Sequence, residues 1–286
     1  MEDKKKPVVV GIGELLWDVF PEGKKAGGAP VNFVYHATAM GAKGYAISAV
    51  GNDQLGNEIV GVVDSIGIDH LIAKVNYPTG TVNVQFNQGA PFYEITENVA
   101  WDYIPLSNKI IDVACKTDAV CFGTLAQRCE TSKETIRKFL SLVSRDSFRI
   151  LDINLRSPYY SQHLIEESLK LCNVLKLNDE ELDILKTMFS IKSSDLKEIC
   201  SWLISSYNLK YLMLTAGADY SMIFSSENVS ELKTPKVDVV DTVGAGDSFT
   251  GAFITSILVG KTMIEAHRDA VQRAASVCSV AGAWFD

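Results

Sequence analysis

The sequence predicts a three-layer α/β fold, in which a mostly parallel sheet lies between helices and a small second β-sheet accompanies it. Three observations support this prediction. Short apolar runs alternate with amphipathic helical periods along most of the chain. One stretch, residues 71–104, lacks the helical period. Hydrophobic residues make up 47% of the 286 positions, which is enough for a large core, and we expect a single domain over residues 1–286.

The alternating elements predict βαβ units and therefore parallel strands. Apolar runs predict strands at residues 7–11, 45–50, 118–122, 149–153, 173–177 and 211–214. Amphipathic periods predict helices at residues 30–41, 53–67, 132–143, 178–189, 194–207, 247–259 and 263–281. The helix at 53–67, for example, starts at a capping Asp53 and stops at Gly67.

Residues 71–104 predict a β-hairpin instead of a βαβ unit. Residues 81–86 and 92–96 alternate apolar and polar side chains, and residues 87–91 contain the turn formers Asn, Gly and Pro. Together with residues 13–20, this hairpin is expected to form the small separate sheet. Exposed sheet edges often pair between subunits, which is compatible with a homodimer.

Composition excludes several classes of protein. The net charge of −8 and the pI near 5.1 argue against a nucleic-acid partner. The six cysteines form no C-x-x-C pair and the four histidines lie far apart, so we expect free thiols, no zinc site and a reducing cytoplasmic location. No apolar run has the length of a membrane span, and the N-terminal residues lack the pattern of a secretory signal, so no membrane association is expected.

The most informative segment is a glycine loop that opens an apolar helix. Gly244, Ala245 and Gly246 precede the carboxylate Asp247. The free N–H groups and the dipole of a helix N-terminus favour a phosphate at this point. Asp247 would be repelled by a bound phosphate, but it is well placed to take a proton from a hydroxyl that attacks one. For so short a pattern alone, ordinary helix capping would be the simpler explanation.

The whole segment 241–253, DTVGAGDSFTGAF, resembles the signature of the ribokinase family of PfkB-type sugar kinases. The resemblance implies a ribokinase-like fold with a β-sheet lid, formed here by about residues 13–20 and 71–104. It implies ATP-dependent phosphorylation of a sugar hydroxyl with Mg²⁺, in which Asp247 is the base and residues 244–246 stabilise the transferred phosphoryl group. It also implies that Asp241 helps to bind an activating monovalent cation such as K⁺.

A second glycine pair lies at the predicted start of the helix over 30–41. Gly27 and Gly28 would let a ligand approach the backbone closely, and Asn32 offers both a donor and an acceptor to sugar hydroxyls. A plain tight turn would explain the same residues. The resemblance implies that all three residues contact the sugar, and that Asp18 accepts hydrogen bonds from it. The alternative for Asp18 is a solvated acid at the edge of the lid.

Asn178 and Glu181 share a helix face just after a predicted strand. They resemble the family's N-x-x-E motif, which implies that Asn178 binds the nucleotide phosphates and that Glu181 holds Mg²⁺ through water. A helix cap with acidic first-turn residues is the alternative. On the metal interpretation, Glu181→Gln would raise the Mg²⁺ requirement with little change in stability.

Two further motifs stand at predicted strand ends, where open α/β sheets bind ligands. Thr215 and Gly217 resemble the family's T-x-G-x-x-G segment, which implies contact with nucleotide phosphates, although Tyr220 replaces the second glycine. Arg156 ends a segment, DINLR, that resembles the D-x-N-x-R of fructokinases and ketodeoxygluconate kinases. Its guanidinium would bridge the acceptor and the phosphoryl group, and a local surface ion pair is the alternative.

The expected lid indicates the class of acceptor. Its only basic residue between positions 71 and 104 is Lys74, so an acidic or phosphorylated sugar would lack a partner there. Residues 79–82, Tyr93 and residues 100–102 resemble fructokinases, which favours D-fructose. Ribose, a nucleoside or ketodeoxygluconate remain alternative acceptors. A non-catalytic sugar-binding relative is the alternative from another class, and the presence of both Asp247 and Glu181 speaks against it.

Overall fold

The computed structural model describes residues 5–21, 23–87 and 90–285. Its strands, in chain order, are β1 (Val8–Ile12), β2 (Leu16–Phe20), β3 (Gly23–Gly27), β4 (Lys43–Gly51), β5 (Asp69–Val75), β6 (Gly80–Asn87), β7 (Ala90–Ile95), β8 (Ala119–Gly123), β9 (Phe148–Asp152), β10 (Val174–Asn178), β11 (Tyr211–Ala216), β12 (Tyr220–Phe224) and β13 (Val229–Lys233). Its helices are α1 (Ala29–Ala39), α2 (Gln54–Ser65), α3 (Asn108–Ala114), α4 (Glu130–Leu142), α5 (Gln162–Leu171), α6 (Asp179–Met188), α7 (Leu196–Tyr207), α8 (Ala245–Leu258) and α9 (Met263–Cys278).

A nine-stranded central sheet has the order β13-β12-β11-β10-β9-β8-β1-β4-β5. All strands from β11 to β5 in this order run parallel, and the only antiparallel pairings of this sheet among the described residues are β11 with β12 and β12 with β13. The mostly parallel α/β sheet predicted from the sequence is therefore confirmed. Because the parallel strands share one carboxyl edge, the loops after them converge there, and that edge is where such sheets bind ligands.

The six predicted strands correspond to β1, β4, β8, β9, β10 and β11, and the seven predicted helices correspond to α1, α2, α4, α6, α7, α8 and α9. Helices cover both faces of the sheet over two hydrophobic clusters, one around Phe122 and Phe139 and one around Phe33 and Phe253. No helix of the described chain is both long and apolar enough to cross a bilayer. All six cysteines are free thiols.

A second sheet, with the order β3-β2-β6-β7, forms the lid. Its outline differs from the sequence-based expectation. Residues 71–75 belong to β5, which pairs with β4 in the central sheet, so the expected start of the lid at residue 71 is wrong. The sequence analysis also missed β3, which pairs antiparallel with β2. The turn predicted over 87–91 lies partly outside the described residues. β3 and β7 are the edge strands, and a homodimer through them stays a prediction.

The base of the lid is fixed by a buried ion pair. Arg128 donates to both carboxylate oxygens of Asp102, at 2.8 and 2.9 Å, and its guanidinium lies 4.0 Å from the centre of the Trp101 ring. A further Arg128 N–H group bonds the carbonyl of Thr96, next to the end of β7. The segment 100–102, which suggested a fructokinase, therefore anchors the lid to the loop before α4.

Candidate active site

The glycine loop before α8 lies at the carboxyl edge of the sheet. Gly244 has a φ of 79° and a β-carbon there would lie 2.6 Å from the Ala283 β-carbon, so both backbone conformation and space require glycine. Helix α8 begins at Ala245, two residues before the predicted start, which places Asp247 inside its first turn. The N–H groups of Gly246 and Asp247 have no acceptor among the described residues. They form an open anion site at a helix N-terminus.

Asp247 is held by a chain of side chains from distant parts of the sequence. Asn32 donates to Oδ2 of Asp247 at 2.8 Å, and Trp284 donates to Oδ1 of Asn32 at 2.8 Å. Asn32 is only 4% exposed, and Gly251 lets α8 approach α1 closely, since its β-carbon would lie 2.8 Å from the Phe33 carbonyl. Oδ1 of Asp247 accepts no hydrogen bond from the described part of the chain, so it can take a proton.

The electrostatic surroundings make Asp247 a stronger base than an exposed aspartate. Burial raises its pKa, because an enclosed carboxylate loses hydration. The charges of Lys176 and Arg156 and the hydrogen bond from Asn32 act in the opposite direction and favour the ionised form. A buried carboxylate whose pKa is raised binds a proton more readily than an exposed one, which suits a base.

Lys176 is a site residue that the sequence analysis missed. It is 9% exposed, and its ammonium group lies 3.3 Å from Oδ1 of Asp152. Burial alone would lower its pKa, but the carboxylates of Asp152, Glu181 and Asp247 outweigh burial and raise that pKa above its ordinary value. A β-carbon on Gly246 would lie 2.9 Å from Lys176 Nζ. A permanent positive charge therefore lies directly against the anion site.

The predicted sugar-binding residues lie on the lid side of this edge. Gly28 has a φ of 128° and its β-carbon would lie 2.2 Å from the Glu14 carbonyl, so glycine is required there. Gly27 leaves room for Asp18, whose Oδ2 would lie 2.8 Å from a β-carbon at that position. Burial raises the pKa of Asp18 to about 6, against the opposing charge of Arg156. Asp18 is thus a partly enclosed carboxylate and not a fully solvated one.

Arg156 stands on the loop after β9 and its side chain is exposed. Within the described residues it forms no ion pair, so the alternative of a local surface pair has no partner here. Its charge nevertheless lowers the pKa values of Asp18, Asp247 and Glu14. It therefore lies near Asp18 and Asp247 at once, and no ion pair within the described residues holds it.

Asn178 and Glu181 form a reciprocal cap at the start of α6. Asn178 Oδ1 accepts from the Glu181 N–H group at 2.8 Å, and Glu181 Oε2 accepts from the Asn178 N–H group at 2.8 Å. Glu181 Oε1 also accepts from the Leu155 N–H group at 2.9 Å, and the residue is 6% exposed. Each carboxylate oxygen of Glu181 keeps one lone pair, which fits a hydrogen bond from a water molecule of a hydrated Mg²⁺ ion.

This geometry changes the expected outcome of Glu181→Gln. The amide NH₂ of glutamine cannot accept from a backbone N–H group, so one buried donor loses its partner. We expect a loss of about 1–3 kcal/mol of unfolding free energy in addition to a higher Mg²⁺ requirement. Urea denaturation measures the first effect, and Glu180→Gln, exposed in the same turn, is the matched control. Equal stability of the two variants would contradict the capping role.

Thr215 and Gly217 lie beside Asn178. Asn178 and Thr215 pair in register at the carboxyl ends of β10 and β11. Gly217, with a φ of 50°, turns the chain from β11 into β12, and Thr234 bonds its carbonyl. Tyr220 is the first residue of β12 and pairs with Ala216, a conformation open to any residue. The loop therefore tolerates tyrosine where the family has its second glycine.

Asp241, the expected ligand of a monovalent cation, is surrounded by donors. Its Oδ2 accepts from Lys25 Nζ and from the Gly282 N–H group, both at 3.0 Å, and its Oδ1 accepts from the Val243 N–H group at 3.1 Å. Cations in proteins are held by oxygen lone pairs. Three N–H donors around the carboxylate, one of them an ammonium group, do not fit a bound cation.

Glu14 is the second site residue that the sequence analysis missed. It follows β1 at the carboxyl edge, is 3% exposed, and its Oε2 has no hydrogen-bond partner in the described chain. It lines a narrow crevice together with Asp152 and Asn154. Burial raises the pKa of Glu14 to about 7 and the Asp247 charge acts in the same direction. The carboxyl edge of the sheet thus carries more acidic groups than the motifs indicate.

Comparison with known proteins agrees with this geometry. An uncharacterized sugar kinase of Pyrococcus horikoshii is 27% identical over 299 residues, covering 97% of this chain and 92% of the relative. Its crystal structure superposes with a TM-score of 0.83 over 97% of this chain and 93% of that one, at 26% identity. Fructokinase-2 of Solanum lycopersicum is 25% identical, covering 90% of this chain and 84% of the relative.

The structure of Vibrio cholerae fructokinase with fructose, ADP and calcium superposes with a TM-score of 0.82 over 98% of this chain and 95% of that one. At 19% identity it supports the fold alone. The parallel sheet, its small β lid and the carboxylate beside an open helix N-terminus together define a ribokinase-like sugar kinase. The pfkB family carbohydrate kinase model matches residues 13–285, and the chain belongs to that family.

Proposed function

We propose that this protein transfers the γ-phosphoryl group of ATP to a hydroxyl of a neutral sugar, most suitably D-fructose. The observation that carries the proposal is that Asp247 Oδ1 and the N–H groups of Gly246 and Asp247 all lack a hydrogen-bond partner within the described residues. A proton acceptor and an anion site then lie within one helical turn. Transfer of a phosphoryl group to a hydroxyl requires at least these two groups, one to take the proton and one to hold the phosphate.

The reaction follows from this arrangement. The sugar O–H group gives its proton to Asp247 Oδ1 as its oxygen forms a bond to the γ-phosphorus. The bond from that phosphorus to the β,γ-bridging oxygen breaks, and ADP leaves with the electron pair. Asn32 holds the base through Oδ2, so the free oxygen faces one direction. Asp18 and the backbone of Gly27 and Gly28 are proposed to hold the remaining sugar hydroxyls.

Positive groups compensate the charge that develops during transfer. Lys176 lies against Gly246, and Arg156 is exposed near Asp18 and Asp247. Asn178, Thr215 and Gly217 are proposed to contact the nucleotide phosphates from the neighbouring strand ends. Mg²⁺, held through water near Glu181, would neutralise charge on the triphosphate. Fixed charges of this kind act without reorganisation at the moment of reaction.

The acceptor proposal needs one correction from the lid. The described lid also includes β3 with Lys24 and Lys25, so the expected outline of the lid, in which Lys74 was the only basic residue, was incomplete. Both are already paired, Lys24 with Glu58 and Lys25 with Asp241, and Lys74 lies on β5, where it bonds Asn57. A carboxylate or phosphate on the sugar would compete with these pairs. The preference for a neutral sugar therefore rests on lid lysines that already have partners, and not on a lack of lysines.

A coupled ADP-release assay over a sugar panel tests this proposal. We expect D-fructose and other neutral sugars to give a far higher kcat/KM than 2-keto-3-deoxygluconate or fructose phosphates. The physical reason is that an acidic acceptor meets the Asp18 carboxylate without a free lid cation to offset it. An acidic sugar with the highest kcat/KM would contradict the acceptor argument. Sugar binding without turnover of any panel member would favour the non-catalytic relative.

A further inference from the structure

Lys25 connects the lid to the loop that leads into the anion site. It lies on β3 directly opposite Asp18 on β2, and its ammonium group bonds Asp241, which is distant in sequence. Asp241 in turn accepts from the N–H group of Val243, the residue before Gly244. The position of the Asp241 carboxylate therefore affects the backbone just before Gly244. The Lys25 charge lies next to this carboxylate.

The charge on Asp241 is satisfied from within the chain. Burial acts to raise its pKa, but the N–H groups of Val243 and Gly282 and the Lys25 ammonium outweigh burial and lower that pKa. The carboxylate is thus ionised and paired at neutral pH. The Lys25 charge also lowers the pKa of Asp18. One ammonium group therefore acts on the sugar-binding side and on the glycine loop together.

We infer that the Lys25 ammonium takes the place of an activating monovalent cation at Asp241, so that this protein works without K⁺. Oδ2 of Asp241 already accepts from Lys25 and from the Gly282 N–H group, and the ammonium supplies a positive charge at this oxygen. The Lys25 side chain is 44% exposed, but its ammonium group is tethered to the chain, whereas a free cation must be bound from solution. The catalytic part of this inference rests on the proposed kinase function, but the occupancy of the Asp241 position does not.

The test compares the wild-type protein with Lys25→Met in KCl and in tetramethylammonium chloride at equal ionic strength. The wild type should show the same ADP-release rate in both salts. Lys25→Met should be slower in tetramethylammonium by about fivefold or more, an ordinary coupling between sites, and KCl should restore part of the rate in a saturable manner. Lys24→Met is the control, because the adjacent Lys24 pairs with Glu58 and lies over the Trp17 ring instead.

Thermal unfolding in the same two salts separates this inference from the kinase proposal. The wild-type Tm should be equal in both salts, and the Lys25→Met Tm should be higher in KCl. This result would support the inference even if no sugar of the panel were phosphorylated. Saturable activation of the wild type by KCl, a wild-type Tm that rises with KCl, or a Lys25→Met variant that ignores KCl in both measurements would overturn it.

Discussion

Replacing Asp247 with asparagine is expected to lower kcat by about 10²–10⁴-fold, the usual loss for a general base. Asparagine keeps the size of the side chain and the start of α8, but its amide cannot accept the hydroxyl proton. The anion site is made by backbone N–H groups and is unaffected by the change. ATP binding, measured by calorimetry, should therefore remain close to that of the wild type.

A matched control is available on the surface of α6. Asp183→Asn removes an exposed carboxylate that bonds no other side chain of the described residues, and it should leave kcat unchanged.

For Asp247→Asn, a modest rise in KM for the sugar is also expected, because Asn32 donates to Oδ2 of Asp247 and asparagine is the weaker acceptor. An Asp247→Asn variant with most of its activity would remove Asp247 from the mechanism.

Replacing Lys176 with methionine should lower both stability and activity. The change leaves Asp152 and Glu181 buried without their positive partner, which costs about 3–5 kcal/mol of unfolding free energy. Lys176 lowers the pKa of Asp247, so its removal raises that pKa and a smaller fraction of the base is ionised at neutral pH. The acid limb of the profile of kcat/KM against pH should move to higher pH. Urea denaturation and a pH–rate series measure the two effects.

A second substitution separates stability from catalysis. Adding Asp152→Asn to Lys176→Met removes one of the unpaired charges and should recover part of the lost stability. It cannot return a positive charge to Gly246, so kcat should stay low. Lys197→Met, an exposed lysine on α7, is the control for removing a lysine. Recovery of kcat together with stability would assign Lys176 a purely structural role.

Strands buried on both faces could be predicted from the sequence, because they appear as short runs of mostly apolar residues. Val174–Asn178 and Ala119–Gly123 are of this kind. β3, with the sequence GKKAG, carries no such signal and exists because it pairs with β2, which is a tertiary contact. β5 was missed because it lies at the edge of the sheet and mixes polar with apolar side chains. Its burial is only partial, so its composition resembles that of a loop.

In the site, the residues of contiguous motifs could be identified from sequence and those of isolated positions could not. Gly244 to Asp247 form one segment, whereas Trp284 meets Asn32 across 252 positions. One signal was nevertheless present. Lys176 and Glu14 are single charged residues inside otherwise apolar runs, and a charge so placed must be buried with a partner or near a ligand. Such a charge is informative because it interrupts an apolar run that otherwise predicts a buried segment.

The contact between Trp284 and Asn32 has a consequence for the biosynthesis of the protein. Gly282, Ala283 and Trp284 support Asp241, Gly244 and Asn32 respectively. A nascent chain on the ribosome has every strand of the central sheet long before these three residues emerge. The hydrophobic cluster around Phe122 and Phe139 can therefore form early, but Asp247 and the glycine loop before it cannot take their final positions until residue 284 has emerged. Proteolytic removal of the same three residues would take these three contacts from the folded protein.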